Sequence, residues 1–137
     1  MTTPSGSKRF IVDSSGWIEY LGGGPKGDSF APYLEKAENL LLPTIVVYEV
    51  YKKLLRARET TLAEQFLSQA FAFQDREIVV DVAIAAMAAK ISLKLKLAMA
   101  DAIIYATAMN AGADLLTCDA HFANLPGVVY FAKSSPP

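Results

Sequence analysis

Apolar residues fall along this chain in two rhythms. Short uninterrupted runs occur at Arg9–Val12 (RFIV), Asn39–Leu42 (NLLL), Ile78–Val80, Asp114–Leu116 and Val128–Tyr130. Runs of this length with no polar alternation predict buried strands. Between them apolar positions recur at helical spacing. A helix is expected over Ser15–Leu21, opened by the cap cluster Asp13-Ser14-Ser15 and ended by Gly22-Gly23-Gly24-Pro25. Asp28 is expected to cap a second, through Pro32 to Ala37, and Thr44, following Pro43, a third that reaches Arg58. Thr60 or Thr61 would cap a fourth, through Glu64 to Phe73, and Asp81 a fifth, to Leu95. Met99–Ala111 makes a sixth, stopped by Gly112, and His121–Asn124 a short helical turn. Strands that alternate with helices predict an α/β fold in three layers, α/β/α, with a central parallel sheet of about five strands.

Composition adds bounds. The 137 residues suit one domain, over 9–132, with a flexible N-terminus at 1–8 and a flexible tail at 133–137. Hydrophobic residues are 53% and charged residues 20%, which excludes a disordered chain. The apolar share is high for this size, as a partner surface or alanine-rich helices would make it. A net charge of −1 offers no bulk attraction for nucleic acid, so any affinity must be local. The basic helix face Lys52, Lys53, Arg56 and Arg58 is the patch placed to steer phosphates. A single cysteine, Cys118, forms no intrachain disulfide and suits a small buried position in a cytoplasmic protein. The opening MTTPSGSKRF has no apolar stretch of a secretory signal, and no apolar run approaches a membrane span.

Candidate chemistry gathers where strands end. In an open α/β sheet, ligands bind beyond the carboxyl ends of the strands. Asp13 follows the first strand and Asp119 the fourth; Asp101 opens the helix leading into the fourth, and Glu49 lies in the helix after the second. Convergence of the four is therefore permitted by the topology. Clustered carboxylates repel one another and call for a cation between them, and Mg²⁺ or Mn²⁺ prefers oxygen ligands. Two such ions can clamp an in-line phosphoryl displacement.

Each acid also has a plainer reading. Asp13 before two serines is an ordinary helix cap, and Asp119 suits an Asx turn or a cap. Glu49 lies outside the stripe Val46, Val47, Val50, Tyr51 and Leu54, and pairs at i,i+4 with Lys53. Asp101 shares a stripe with Ile104, Tyr105 and Ala108, which faces the protein, although a cap is open to it too. Asp81 is a cap. Other chemistries find no support. The one histidine, His121, reads as a surface residue of a turn, so no histidine pair exists. No Cys/His set suits zinc, and Gly22-Gly23-Gly24 lacks the phosphate-loop context. Ser14 and Ser15 lack a nucleophile elbow.

Three stretches resemble the PIN domain, and more narrowly the VapC-type toxins of toxin–antitoxin pairs: FIVDSSGWIEYL, LLPTIVVYEVYKKL and LKLAMADAIIYATAMNAGADLLTCDAHF, with FANLPGVVYF after them. The third is the most specific, an aspartate-led helix followed by a strand and a Thr-x-Asp turn. The resemblance covers nearly the whole chain. It implies a metal-dependent endoribonuclease with Asp13, Glu49, Asp101 and Asp119 as catalytic and metal-binding acids, and Ser14 and Thr117 as supporting hydroxyls. It also implies five parallel strands, a homodimer, an RNA substrate and a cognate antitoxin that covers the site. His121 departs mildly from the pattern. The alternatives are a PIN nuclease of RNA maturation or decay without an antitoxin, and a non-catalytic binding module on the same scaffold.

Overall fold

Phe10–Val12 forms the central strand, β1, whose Ile11 and Val12 have no exposed surface. The structure is a computed structural model and describes residues 8–133. The flexible segments expected at 1–8 and 133–137 therefore lie outside the described residues, save Lys8 and Lys133. After β1 come helices α1 (Ser14–Leu21) and α2 (Gly27–Glu35), a single 3-10 turn at Ala37–Asn39, and strand β2 (Leu40–Pro43). Helices α3 (Thr44–Arg56) and α4 (Thr60–Phe71) lead through a turn at Gln74–Arg76 to β3 (Glu77–Ile78). Helices α5 (Val82–Leu95) and α6 (Met99–Ala111) precede β4 (Asp114–Thr117), a turn at Ala120–Phe122 and β5 (Val128–Tyr130).

The strands form one parallel sheet in the order β3-β2-β1-β4-β5, the middle layer of an α/β/α sandwich. Val12 pairs with Leu116, and the Asp13 N–H extends the ladder by donating to the Leu116 carbonyl at 3.0 Å. Helices bury stripes at helical spacing: Val46, Val50 and Leu54 on α3, and Ala63, Phe66 and Ala70 on α4. Burying a side chain such as Val, Leu or Phe contributes about 1.5–3 kcal/mol. On α1 the buried residues are Ser14, Gly16 and Trp17, and Gly16 is the one that sets the packing distance. A Cβ there would lie 2.6 Å from Val12 and 2.7 Å from Phe30, so only glycine lets α1 sit this close to β1 and α2.

Three kinds of expectation need correction. Asp28, Thr44 and Thr60 or Thr61 do not cap their helices. Lys26, Pro43 and Glu59 occupy the cap positions with no side-chain cap bond, and the expected capping residues lie inside the first turn. The Thr44 hydroxyl instead donates to the Ile78 carbonyl at 3.4 Å. Helix α3 stops at Arg56, so Arg58 is not on its face. The Arg58 and Glu59 N–H groups donate back to the Leu55 and Leu54 carbonyls while Arg58 takes a left-handed φ of 62°. Strand β3 covers Glu77–Ile78 rather than Ile78–Val80. Its last partner is Pro43, after which the chain turns into α3 and leaves Val79 and Val80 unpaired and exposed. Asp13 and Asp81 are caps as expected, accepting from the Gly16 and Ile84 N–H groups.

Candidate active site

The sheet order sets the place. The chain leaves β1 toward β2 on one side, while β4 flanks β1 on the other. The carboxyl ends of β1 and β4 therefore bound the crevice where the strand order reverses, the usual ligand site of such sheets. Asp13 follows β1 and Asp119 follows β4 by two residues.

Asp13 is 2% exposed and fully engaged. Its Oδ1 accepts from the Ser15 hydroxyl at 2.6 Å and the Gly16 N–H at 3.3 Å, and its Oδ2 accepts from the Thr117 hydroxyl at 3.0 Å. Thr117 in turn accepts from the Asp119 N–H at 2.9 Å, so one threonine ties the two acid-bearing loops together. Burial pushes the Asp13 carboxyl from its ordinary 3.8 up to about 6; the bonds from Ser15, Thr117 and Gly16 oppose this, and the charge of Asp119 adds to it. Asp13 is thus both a cap and part of a charged cluster.

Asp101 lies in the first turn of α6, half-buried, with Ala98 rather than Asp101 at the cap position. Burial raises its carboxyl above the ordinary range, followed by the charges of Asp119 and Glu49; His121 and Lys53 pull it back. Glu49 accepts from the Ser14 hydroxyl at 2.9 Å, which orients it toward α1. Its expected surface pair with Lys53 does not occur among the described residues. The structure therefore links the acids in a chain of charge, Asp13 to Asp119, Asp119 to Asp101 and Asp101 to Glu49. Of the basic face, Lys53 acts on Asp101, while Lys52 donates to the Tyr48 hydroxyl at 3.1 Å. Arg56 is exposed on α3 and Arg58 exposed beyond it.

Two residues at the site have roles the sequence did not suggest. Ser15 reaches Asp13, and its Oγ accepts from the Cys118 N–H at 3.2 Å. Cys118 itself is buried as expected. His121, expected at the surface, is exposed but aims inward: Nδ1 stands 3.2 Å from Asp119 Oδ1 and 3.6 Å from Asp101 Oδ2. Ligand atoms of Asp101, Asp119 and His121 all lie within 4.8 Å of one another. These carboxylate oxygens, with Asp13 and Asp101 raised by burial and by the charge of neighbouring acids, fit a hard divalent cation. A cleft of about 780 Å³ lies elsewhere: Phe10, Asn39 and Asp114 place it at the amino ends of the strands, and none of the four acids lines it.

The family profile of the PIN domain matches residues 10–128. No curated protein matches the chain. Among solved structures, a toxin–antitoxin complex from Klebsiella pneumoniae is similar at TM-score 0.68 and 22% identity, over 90% of this chain and 98% of that one. A protein from Pyrobaculum aerophilum gives TM-score 0.65 and 16% identity over 90% of each chain. A DNA-bound VapBC complex from Salmonella typhimurium gives 0.63 and 18%, over 91% of this chain and 98% of that one.

Proposed function

The chain belongs to the PIN domain family, and from that premise we propose that it is a Mg²⁺- or Mn²⁺-dependent endoribonuclease, the toxin of a toxin–antitoxin pair. The chain of charge from Asp13 through Asp119 and Asp101 to Glu49, beside the switch point of the sheet, carries this reading. A binding scaffold would have no use for four acids held against their own repulsion. These four would hold the cation. When bound, such an ion lends positive charge to a phosphodiester and to the water and leaving oxygen of its hydrolysis. The protein's part is positional. Ser15 and Thr117 fix the Asp13 carboxylate through both oxygens, and Ser14 fixes Glu49. Lys53 and Arg56, with Lys52 beside them, are placed to draw RNA phosphates toward the acids, and Arg58 serves from the loop that follows.

The toxin reading takes support from the similar structures, one of them described as a toxin–antitoxin complex and another as a VapBC complex bound to DNA. A cleft of about 350 Å³ between α1, α3 and α4, lined by Ile18, Leu21, Leu54 and Leu62, offers an apolar seat for an antitoxin segment. Tyr48, Leu55 and Phe71 stand exposed on the same two helices, α3 and α4. Residues 9–132 act as one nuclease domain, as a homodimer in the cytoplasm. Among the described residues no helix is long and apolar enough to cross a membrane.

The test is Asp101→Asn, which keeps shape and removes charge. The variant should fold as the wild type does and lose RNA cleavage in Mg²⁺ by about 100-fold or more. Cleavage at the wild-type rate would refute the site.

A further inference from the structure

His121 is the part of this site that the four-acid set leaves without a duty. Its backbone is pinned from both sides. Its N–H donates to Asp119 Oδ1 at 2.9 Å, and the next residue, Phe122, has no exposed surface and stacks on Tyr105 with ring centroids 6.5 Å apart. The 3-10 turn Ala120–Phe122 carries the imidazole back over its own cap, where Nδ1 faces Asp119 and Asp101 together. Ligand atoms bound side by side around one small divalent ion lie roughly 3 Å apart, since each bond is about 2.0–2.2 Å. The separations of 3.2 and 3.6 Å are close to that spacing and need only a small inward adjustment.

Resting on the cation site proposed above, we propose that His121 is a ligand of the bound cation through Nδ1, together with Asp101 and Asp119, and that its nitrogen tilts the site from Mg²⁺ toward transition-metal ions. Magnesium holds to oxygen ligands and water, whereas imidazole suits the later first-row metals. A site of carboxylates alone would show less of this preference. The side chain is 74% exposed, so removing it leaves the fold intact and the effect legible at the metal.

The experiment uses the full chain with Co²⁺ or Mg²⁺ alone, titrated calorimetrically into wild type, His121→Ala and Asp101→Asn. Visible absorption of the Co²⁺-loaded proteins reports on the ligand set. His121→Ala should weaken Co²⁺ about 10-fold or more, leave Mg²⁺ little changed and alter the Co²⁺ spectrum. Asp101→Asn should weaken both ions. Unchanged Co²⁺ affinity and spectrum in His121→Ala, with binding still lost in Asp101→Asn, would overturn the ligand role while sparing the cation site. Equal losses for both ions would overturn the preference. Tighter binding of both ions would show that the imidazole competes for the carboxylates, and would overturn ligation. If wild type binds neither ion, or Asp101→Asn binds as well as wild type, the cation site falls and His121 with it.

Discussion

The carboxyl of Asp13 closes the first turn of α1 and at the same time lies in the field of Asp119. Its folded value of about 6 lies above the ordinary 3.8, so between those limits the folded chain holds a proton that the unfolded chain has released. Stability of the metal-free protein should therefore fall as pH rises from about 4 to about 6, and the loss should persist above that, on the order of 2–3 kcal/mol. Asn caps as well as Asp does. Asp13→Asn should thus stabilise the metal-free protein at pH 7.5 and lose that advantage near pH 4. Denaturant melts at the two pH values check this; an equal effect at both would mean that the burial of this charge is not felt. Added Mg²⁺ should raise the melting temperature of wild type and not that of the variant. Much at this scale was readable in advance, because an aspartate at a strand-to-helix junction has a short list of uses. Ser15 and His121 were not. A second serine in a cap cluster is indistinguishable from the first, and the inward aim of an exposed turn histidine depends on the buried Phe122 beside it.

At the scale of elements, the closeness of α1 to β1 sets where the acids can meet, because Asp13 sits on their junction. Gly16→Ala tests that packing. The new methyl would meet Val12 and Phe30 at under 3.0 Å, and the variant should lose about 1–3 kcal/mol in chemical denaturation. Wild-type stability would show that the two elements can part at little cost. The strands were legible from RFIV, NLLL and DLL because a strand buried on both faces leaves no polar position to confuse it. The extent of β3 was not, since an edge strand ends where its single neighbour turns away, at Pro43. The starts of α2, α3 and α4 were missed by one or two residues, since Lys26, Pro43 and Glu59 hold the cap positions without a side-chain bond. The end of α3 removes Arg58 from the basic face. In an Asp101→Asn background that binds RNA without cutting it, Lys53→Ala and Arg56→Ala should each weaken binding and reduce its salt dependence, by a slope of about 0.7–0.9. Arg58→Ala should do less, and an equal effect would place RNA along the loop instead.

For the whole molecule, a five-stranded parallel sheet of order β3-β2-β1-β4-β5 puts one reversal of strand order at β1 and β4, and everything charged and buried at that edge follows. The alternation of strands and helices made the layers legible. The strand order was not, because nothing in a short apolar run names its neighbour. The proposed hydrolysis of an RNA phosphodiester by four acids and a divalent cation leaves its signature in the chemistry of the cut ends. Attack by the neighbouring 2′-hydroxyl, the route of general acid and base, leaves a 2′,3′-cyclic phosphate and a 5′-hydroxyl. Hydrolysis by water in line with the 3′-oxygen leaves a 5′-phosphate and a 3′-hydroxyl. End-labelled RNA fragments should be collected from the native protein, from chelator-treated protein and after Mg²⁺ or Mn²⁺ is restored. The expected result is 5′-phosphate ends, cleavage abolished by chelator and recovered with metal. Cyclic-phosphate ends, or cleavage that survives the chelator, would contradict the four-acid site as the seat of the reaction.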